Sequence, residues 1–238
     1  MEIFRKMSFA DSTGDAIPFY HEGKYHIFSL TSPPGTTVYP ERLRTTWSHS
    51  ISDDLVHWQE LPTALYPGEG DEPDASGVWT GSVIYGEGQY HAFYTGYCLT
   101  AEFQQTICHA TSEDGITWTK DIANPVITPM TELYEKLDWR DPYVFYNEED
   151  ENYWILISAR RLDMPVTRRG CIVLYRSKNL KDWTYYGPIY SPGHTNCPEC
   201  PEMYKMGGHW YLSYSRFSEF VNTIYRVSES PFWSVEKT

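Results

Sequence analysis

Three carboxylates in this 238-residue chain stand in one repeated context. Asp15, Asp141 and Glu199 each lie five residues before a tyrosine, Tyr20, Tyr146 or Tyr204, that ends an aromatic segment; a further copy of the pattern has Thr80 ahead of Tyr85. If rotational pseudo-symmetry brings these positions to one mouth, the like charges repel and their pKa values spread apart, which acid/base chemistry requires. Carboxylates converging in a concave mouth rimmed by Trp and Tyr suit glycoside hydrolysis. One carboxylic acid protonates the leaving oxygen, and another carboxylate attacks, or activates water, at the anomeric carbon. Two readings compete. Hard cations also take carboxylate oxygens, although three acids supply fewer ligands than such a shell wants. Each acid taken singly could instead cap a loop or pair with a neighbour, as Arg140 beside Asp141 shows. The expectation is no metal and no cofactor.

Four copies of one unit must position these residues. Each runs through an aromatic strand, a short Gly or acidic turn, a second aromatic strand, a third strand, and a Ser-initiated segment closing on Trp. The closing segments are Ser52 to Trp58, Ser112 to Trp118, Ser177 to Trp183 and Ser228 to Trp233, with 50 to 65 residues between successive tryptophans. Alternating strands, tight turns and no helical period predict an all-β chain of antiparallel four-stranded sheets, the blades of a β-propeller whose first strands line a central channel. A β-sandwich or a β-solenoid would use the same strands, but the variable spacing between similar hairpins favours blades. The chain is read as one propeller domain over 1–238, with blades at about 15–66, 77–125, 138–190 and 197–238.

The segments from Trp47 to Trp58, Trp79-Thr80-Gly81-Ser82, Trp139-Arg140-Asp141-Pro142 and Glu199-Cys200-Pro201-Glu202 resemble glycoside hydrolase family 32, as does Leu61-Pro62-Thr63-Ala64-Leu65-Tyr66-Pro67. This is the invertase, levanase and β-fructosidase group of five-bladed propellers, and the likeness runs from about Gly14 to the end. The resemblance implies Asp15 as nucleophile, Asp141 as transition-state stabiliser and Glu199 as general acid and then base, retaining configuration on a fructoside or similar furanoside. Arg140, Trp47, His49, Trp79, Ser82 and Tyr20 are the expected sugar contacts. The family's Asn-Asp-Pro-Asn-Gly motif is here Gly14-Asp15-Ala16-Ile17-Pro18, and Cys-Pro-Asp is Cys200-Pro201-Glu202. No fifth repeat follows Trp233, so the expectation is either a truncated product or a chain whose open edge is covered by neighbouring subunits, with self-association or poor solubility if the ring is open. An inverting arabinan or xylan hydrolase and a non-catalytic carbohydrate-binding propeller are the rival functions.

Composition narrows the partners. With 19 Lys+Arg against 32 Asp+Glu, the net charge is −13, and the basic residues form no patch for nucleic acid. No stretch reaches the roughly 20 apolar residues of a membrane span. The N-terminus lacks the apolar core of a secretory signal, giving a cytoplasmic expectation and reduced thiols for the five cysteines. Cys197 and Cys200 form a Cys-x-x-Cys without the second pair that a structural zinc would want.

Overall fold

A computed structural model of the chain describes residues 12–36, 38–216 and 220–231. Phe232 and Trp233, the predicted close of the fourth repeat, lie outside the described residues. Among the described residues fifteen strands form four antiparallel sheets, each ordered from inner to outer strand. The first contains β1 (Thr13–His21), β2 (Lys24–Thr31), β3 (Thr46–Ser52) and β4 (Trp58–Leu65). The second contains β5 (Gly77–Gly86), β6 (Gln89–Tyr97), β7 (Gln105–Ser112) and the short β8 (Thr119–Lys120). The third contains β9 (Tyr134–Asn147), β10 (Asn152–Arg161), β11 (Gly170–Ser177) and β12 (Thr184–Tyr190). The fourth has three described strands, β13 (Glu199–Met206), β14 (His209–Arg216) and β15 (Asn222–Ser228). Four blades are thus arranged as a β-propeller. Among the described residues no helix is long and apolar enough to cross a membrane.

Blade-on-blade packing builds the core. One apolar cluster joins Ile17, Phe28 and Trp47 of the first blade to Val83 and Tyr94 of the second. The next joins Phe93 and Ile107 to Trp139, Ile155 and Val173; the last joins Trp154, Leu156 and Leu174 to Met203, Trp210 and Leu212. Middle strands are covered on both faces, so β10 and β11 read as unbroken apolar runs rather than alternating ones. Each fully buried Ile, Leu or Phe contributes about 1.5–3 kcal/mol.

The Ser-to-Trp spacing has a local cause. Ser52 Oγ accepts the Leu55 N–H at 2.9 Å, while Asp54 Oδ1 accepts the N–H groups of Val56 and His57 at 2.9 and 2.8 Å. Ser112 with Asp114 and Ser177 with Asn179 repeat the turn. Its tightest residue is left-handed in each copy: Leu55 (φ 64°), Gly115 (φ 70°) and Leu180 (φ 60°).

The inner strands share an irregularity. Pairing skips between Thr13 and Ala16, between Val78 and Gly81, opposite Leu156 and Ser158, and between Glu199 and Glu202. Two residues therefore stand against one in every blade: Gly14-Asp15, Trp79-Thr80, Asp141-Pro142 and Cys200-Pro201. Such bulges free side chains from the ladder and re-aim them. Asp141 (φ 56°) and Cys200 (φ 48°) adopt left-handed backbone there, uncommon for residues other than glycine and concentrated at functional sites.

Candidate active site

The bulges gather side chains from all four blades at one end of the channel. Thr80 Oγ1 donates to Asp15 Oδ2, tying the second blade to the first. Cys200 Sγ lies 3.7 Å from Asp15 Oδ2 and 3.8 Å from Asp141 Oδ2, so the two aspartates flank one thiol. The Cys200 backbone N–H donates to Asp141 Oδ2 at 3.0 Å. Arg140 holds the other side. Its Nη2 donates to Glu199 Oε1 at 2.7 Å, its Nε lies 3.6 Å from Asp141 Oδ2, and its Nη1 is held by Asp138 and by Gln105 Oε1 at 3.3 Å. Arg160 supports Asp138 from behind at 3.0 Å. Below this cluster the channel encloses about 210 Å³, lined by Asp15, Thr80, Ser82, Asp141, Tyr143, Cys200 and Glu202 among others.

The three acids differ in environment. Asp15 is exposed, Glu199 is half-buried and Asp141 is 6% exposed. Burial raises the Asp141 carboxyl to about 6; Arg140 and the Cys200 N–H oppose this, and the negative charges of Glu199 and Asp15 add to it. Burial likewise pushes the Cys200 thiol well up, so it remains neutral between the aspartates. Among the described residues no cluster of three or more His, Cys, Asp or Glu has the arrangement to hold a metal ion.

Arg140 and Ser82 stand at the cluster. Ser82 Oγ accepts the Val144 N–H at 2.8 Å and donates to the Pro142 carbonyl at 2.9 Å, locking blade two to blade three beside Asp141. Gly81 precedes it because β6 passes so close that a Cβ would lie 2.0 Å from the Phe93 carbonyl oxygen. Trp79 sits half-buried at the rim, stacked 4.1 Å from Tyr97, with its Nε1 donating to the Leu43 carbonyl at 3.0 Å.

Three expected sugar contacts are placed elsewhere. Trp47 is wholly buried in the core and its Nε1 donates to the Trp79 carbonyl at 2.9 Å, so it positions the strand before Thr80. His49 is also wholly buried, stacked 4.1 Å from Phe28 and bonded to His26 at 3.0 Å. Tyr20 is exposed at the far end of β1, five residues or roughly 16 Å from Asp15. Flat rings fill cores and line sugar sites alike, and residue type does not separate the two. Thr80, Asp138, Gln105 and the Cys200 N–H were not singled out as site groups. Only Thr80 carried a signal, since it occupies the register position that the acids hold in the other blades.

These features define a β-propeller with a carboxylate cluster, braced by an arginine, at one channel mouth. Residues 15–231 match the glycosyl hydrolases family 32 N-terminal domain, and the chain belongs to that family. It is 33% identical over 198 residues to a levanase of Bacillus subtilis, covering 79% of this chain and 26% of the levanase. It is 32% identical over 202 residues to a raffinose invertase of Escherichia coli, covering 81% and 39% respectively. The solved β-fructofuranosidase of Bombyx mori, a mutant in complex with sucrose, superposes with a TM-score of 0.74 at 25% identity, covering 91% of this chain and 46% of that one. The chain thus spans less than half the length of each relative.

Proposed function

We propose that the protein bearing this chain hydrolyses β-fructosides with retention at the anomeric carbon. The convergence of Asp15, Asp141 and Glu199 from three blades onto one channel mouth carries the reading, and the levanase and invertase relatives support it. Asp15, exposed to the channel and oriented by Thr80, attacks the anomeric carbon. Glu199 protonates the departing oxygen, and the fructosyl group becomes esterified to Asp15. Glu199 then takes a proton from water, which attacks the anomeric carbon, breaks its bond to the Asp15 oxygen and restores both carboxyls. Asp141, fixed by the Cys200 N–H and Arg140, accepts hydrogen bonds from ring hydroxyls.

The test uses the full-length protein on sucrose, levan and inulin. Asp15→Asn and Glu199→Gln should each lower kcat at least ~10³-fold, the order expected for loss of a nucleophile or general acid. Wild-type turnover in either variant overturns the assignment. Proton NMR of the first product should show the configuration of the substrate; the opposite anomer indicates the inverting alternative. A non-catalytic carbohydrate-binding role is the second reading, favoured by Gly14-Asp15-Ala16-Ile17, where only the acid of the family motif is kept. Sugar binding without turnover in the wild type would decide for it.

A further inference from the structure

The opposite end of the channel repeats tyrosine as regularly as the first end repeats acids. Tyr20, Tyr85, Tyr146 and Tyr204 pair directly across their hairpins with Tyr25, Tyr90, Tyr153 and Tyr211. The rings of each pair lie 4.7, 5.0, 5.1 and 5.5 Å apart. Sequence repetition explains the pairs, but the junctions between blades are not alike. Between the first two blades, the residue after Tyr20 is His21, whose ring stacks 4.1 Å from Tyr85 at 22° and fills the gap. Between the second and third, the equivalent residue is Gly86, which offers no ring to Tyr146. Tyr153 and Leu180 crowd that glycine so closely that a Cβ would lie 2.8 Å from the Tyr153 hydroxyl and 2.9 Å from Leu180 Cδ1. The result is a cleft of about 540 Å³ lined by Tyr85, Glu87, Tyr146, Glu151, Tyr153 and Lys178. Tyr146 is 47% exposed in it and Tyr85 41%.

The lining chemistry selects an occupant. Exposed tyrosine rings offer flat apolar faces with a polar edge, which match the apolar face and hydroxyl rim of a sugar ring. Glu87, Glu151 and Lys178 supply acceptors and donors. Glu87 is oriented by the Tyr153 hydroxyl, which donates to its Oε1 at 3.0 Å, and Lys178 donates to the Glu151 carbonyl. Two carboxylates against one ammonium disfavour a phosphorylated or otherwise anionic ligand. Lying across the molecule from Asp15, the cleft cannot contact the same sugar residue as the acids.

We propose that this cleft is an auxiliary carbohydrate site, binding a neutral fructan chain remote from the residue being cleaved; the choice of fructan rests on the proposed fructosidase function. The experiment is affinity electrophoresis of the full-length protein through gels containing levan, with dextran gels as control. It is run in an Asp15→Asn background with excess sucrose filling the channel. Levan should still retard the parent, and Tyr146→Ala should weaken this retardation at least fivefold. Tyr146→Trp, which restores a flat ring, should recover it, and thermal melts establish that both variants are folded. Equal retardation of the parent and a folded Tyr146→Ala variant overturns the proposal, as does full suppression of levan binding by sucrose. Equal retardation in dextran overturns the fructan assignment. Sucrose turnover by the wild type without Tyr146-dependent levan binding leaves the fructosidase reading standing and removes the cleft. Tyr146-dependent binding without fructoside turnover does the reverse.

Discussion

Among single residues, Asp141 holds the clearest conflict between stability and chemistry. Its carboxyl is raised to about 6 by burial, whereas an unfolded aspartate ionises near 4. Between these values the native state holds a proton that the unfolded state has released, so stability falls as pH rises through the window. Asp141→Asn removes that term. It should raise stability by about 3 kcal/mol at pH 7, with the gain vanishing near pH 4, while abolishing turnover. Melting curves at the two pH values check the sign; an equal gain at both would place the cause outside ionisation. Asp15, Asp141 and Glu199 were legible as a set because the tyrosine register aligned them across repeats. The groups that orient them were not. A backbone N–H such as that of Cys200 has no sequence signature, and the support of Arg140 by Gln105 depends on which blades become neighbours.

At the level of the strand, two blades carry buried histidine pairs where two carry apolar contacts. His26 bonds His49 at 3.0 Å, and His91 bonds His109 at 2.9 Å, with Asp121 Oδ2 a further 3.0 Å from His109 Nδ1. The matching positions are Trp154 and Leu174 in the third blade, and Leu212 and Ile224 in the fourth. Burial lowers all four imidazoles, His49 to about 3 and His91 to about 4. These rings are neutral when folded but bind protons when unfolded below about pH 6.5, so stability is lost as pH falls from there toward 4. The double variant His26→Leu/His49→Leu should flatten part of that acid limb at a cost under about 1 kcal/mol at pH 7. His26→Leu alone strands a buried ring nitrogen and should cost about 1–3 kcal/mol. Urea titrations across pH 4–7 measure both. A histidine on a strand looks the same in sequence whether it faces a channel or a neighbouring sheet, which is why His49 was expected at the sugar. The strands and turns themselves were readable, since Ser with Asp or Asn two residues on builds the same turn wherever it occurs.

For the molecule as a whole, the relative placing of blades decides whether separate carboxyls become one site. Ser82 is a direct fastener between the second and third blades, serving both the Val144 N–H and the Pro142 carbonyl beside Asp141. Ser82→Ala leaves both groups unserved and should cost about 1–2 kcal/mol. By loosening Asp141, it should also lower kcat/KM on sucrose about tenfold. A variant that loses stability while keeping full activity would show that the site tolerates blade movement. The propeller is visible from four repeats, and the five residues between Asp15 and Tyr20 already put the tyrosine at the other mouth by strand rise alone, against its expected sugar contact. The two-against-one skips in the inner strands have a consequence of another kind. Residues in them lend no rung to a sheet, so natural selection can exchange them without unravelling a blade. Thr80, standing at the register position that Asp15, Asp141 and Glu199 hold in the other blades, shows that the position takes a neutral residue within an intact sheet. A substitution there changes what faces the sugar while the sheet that carries it keeps its pairing.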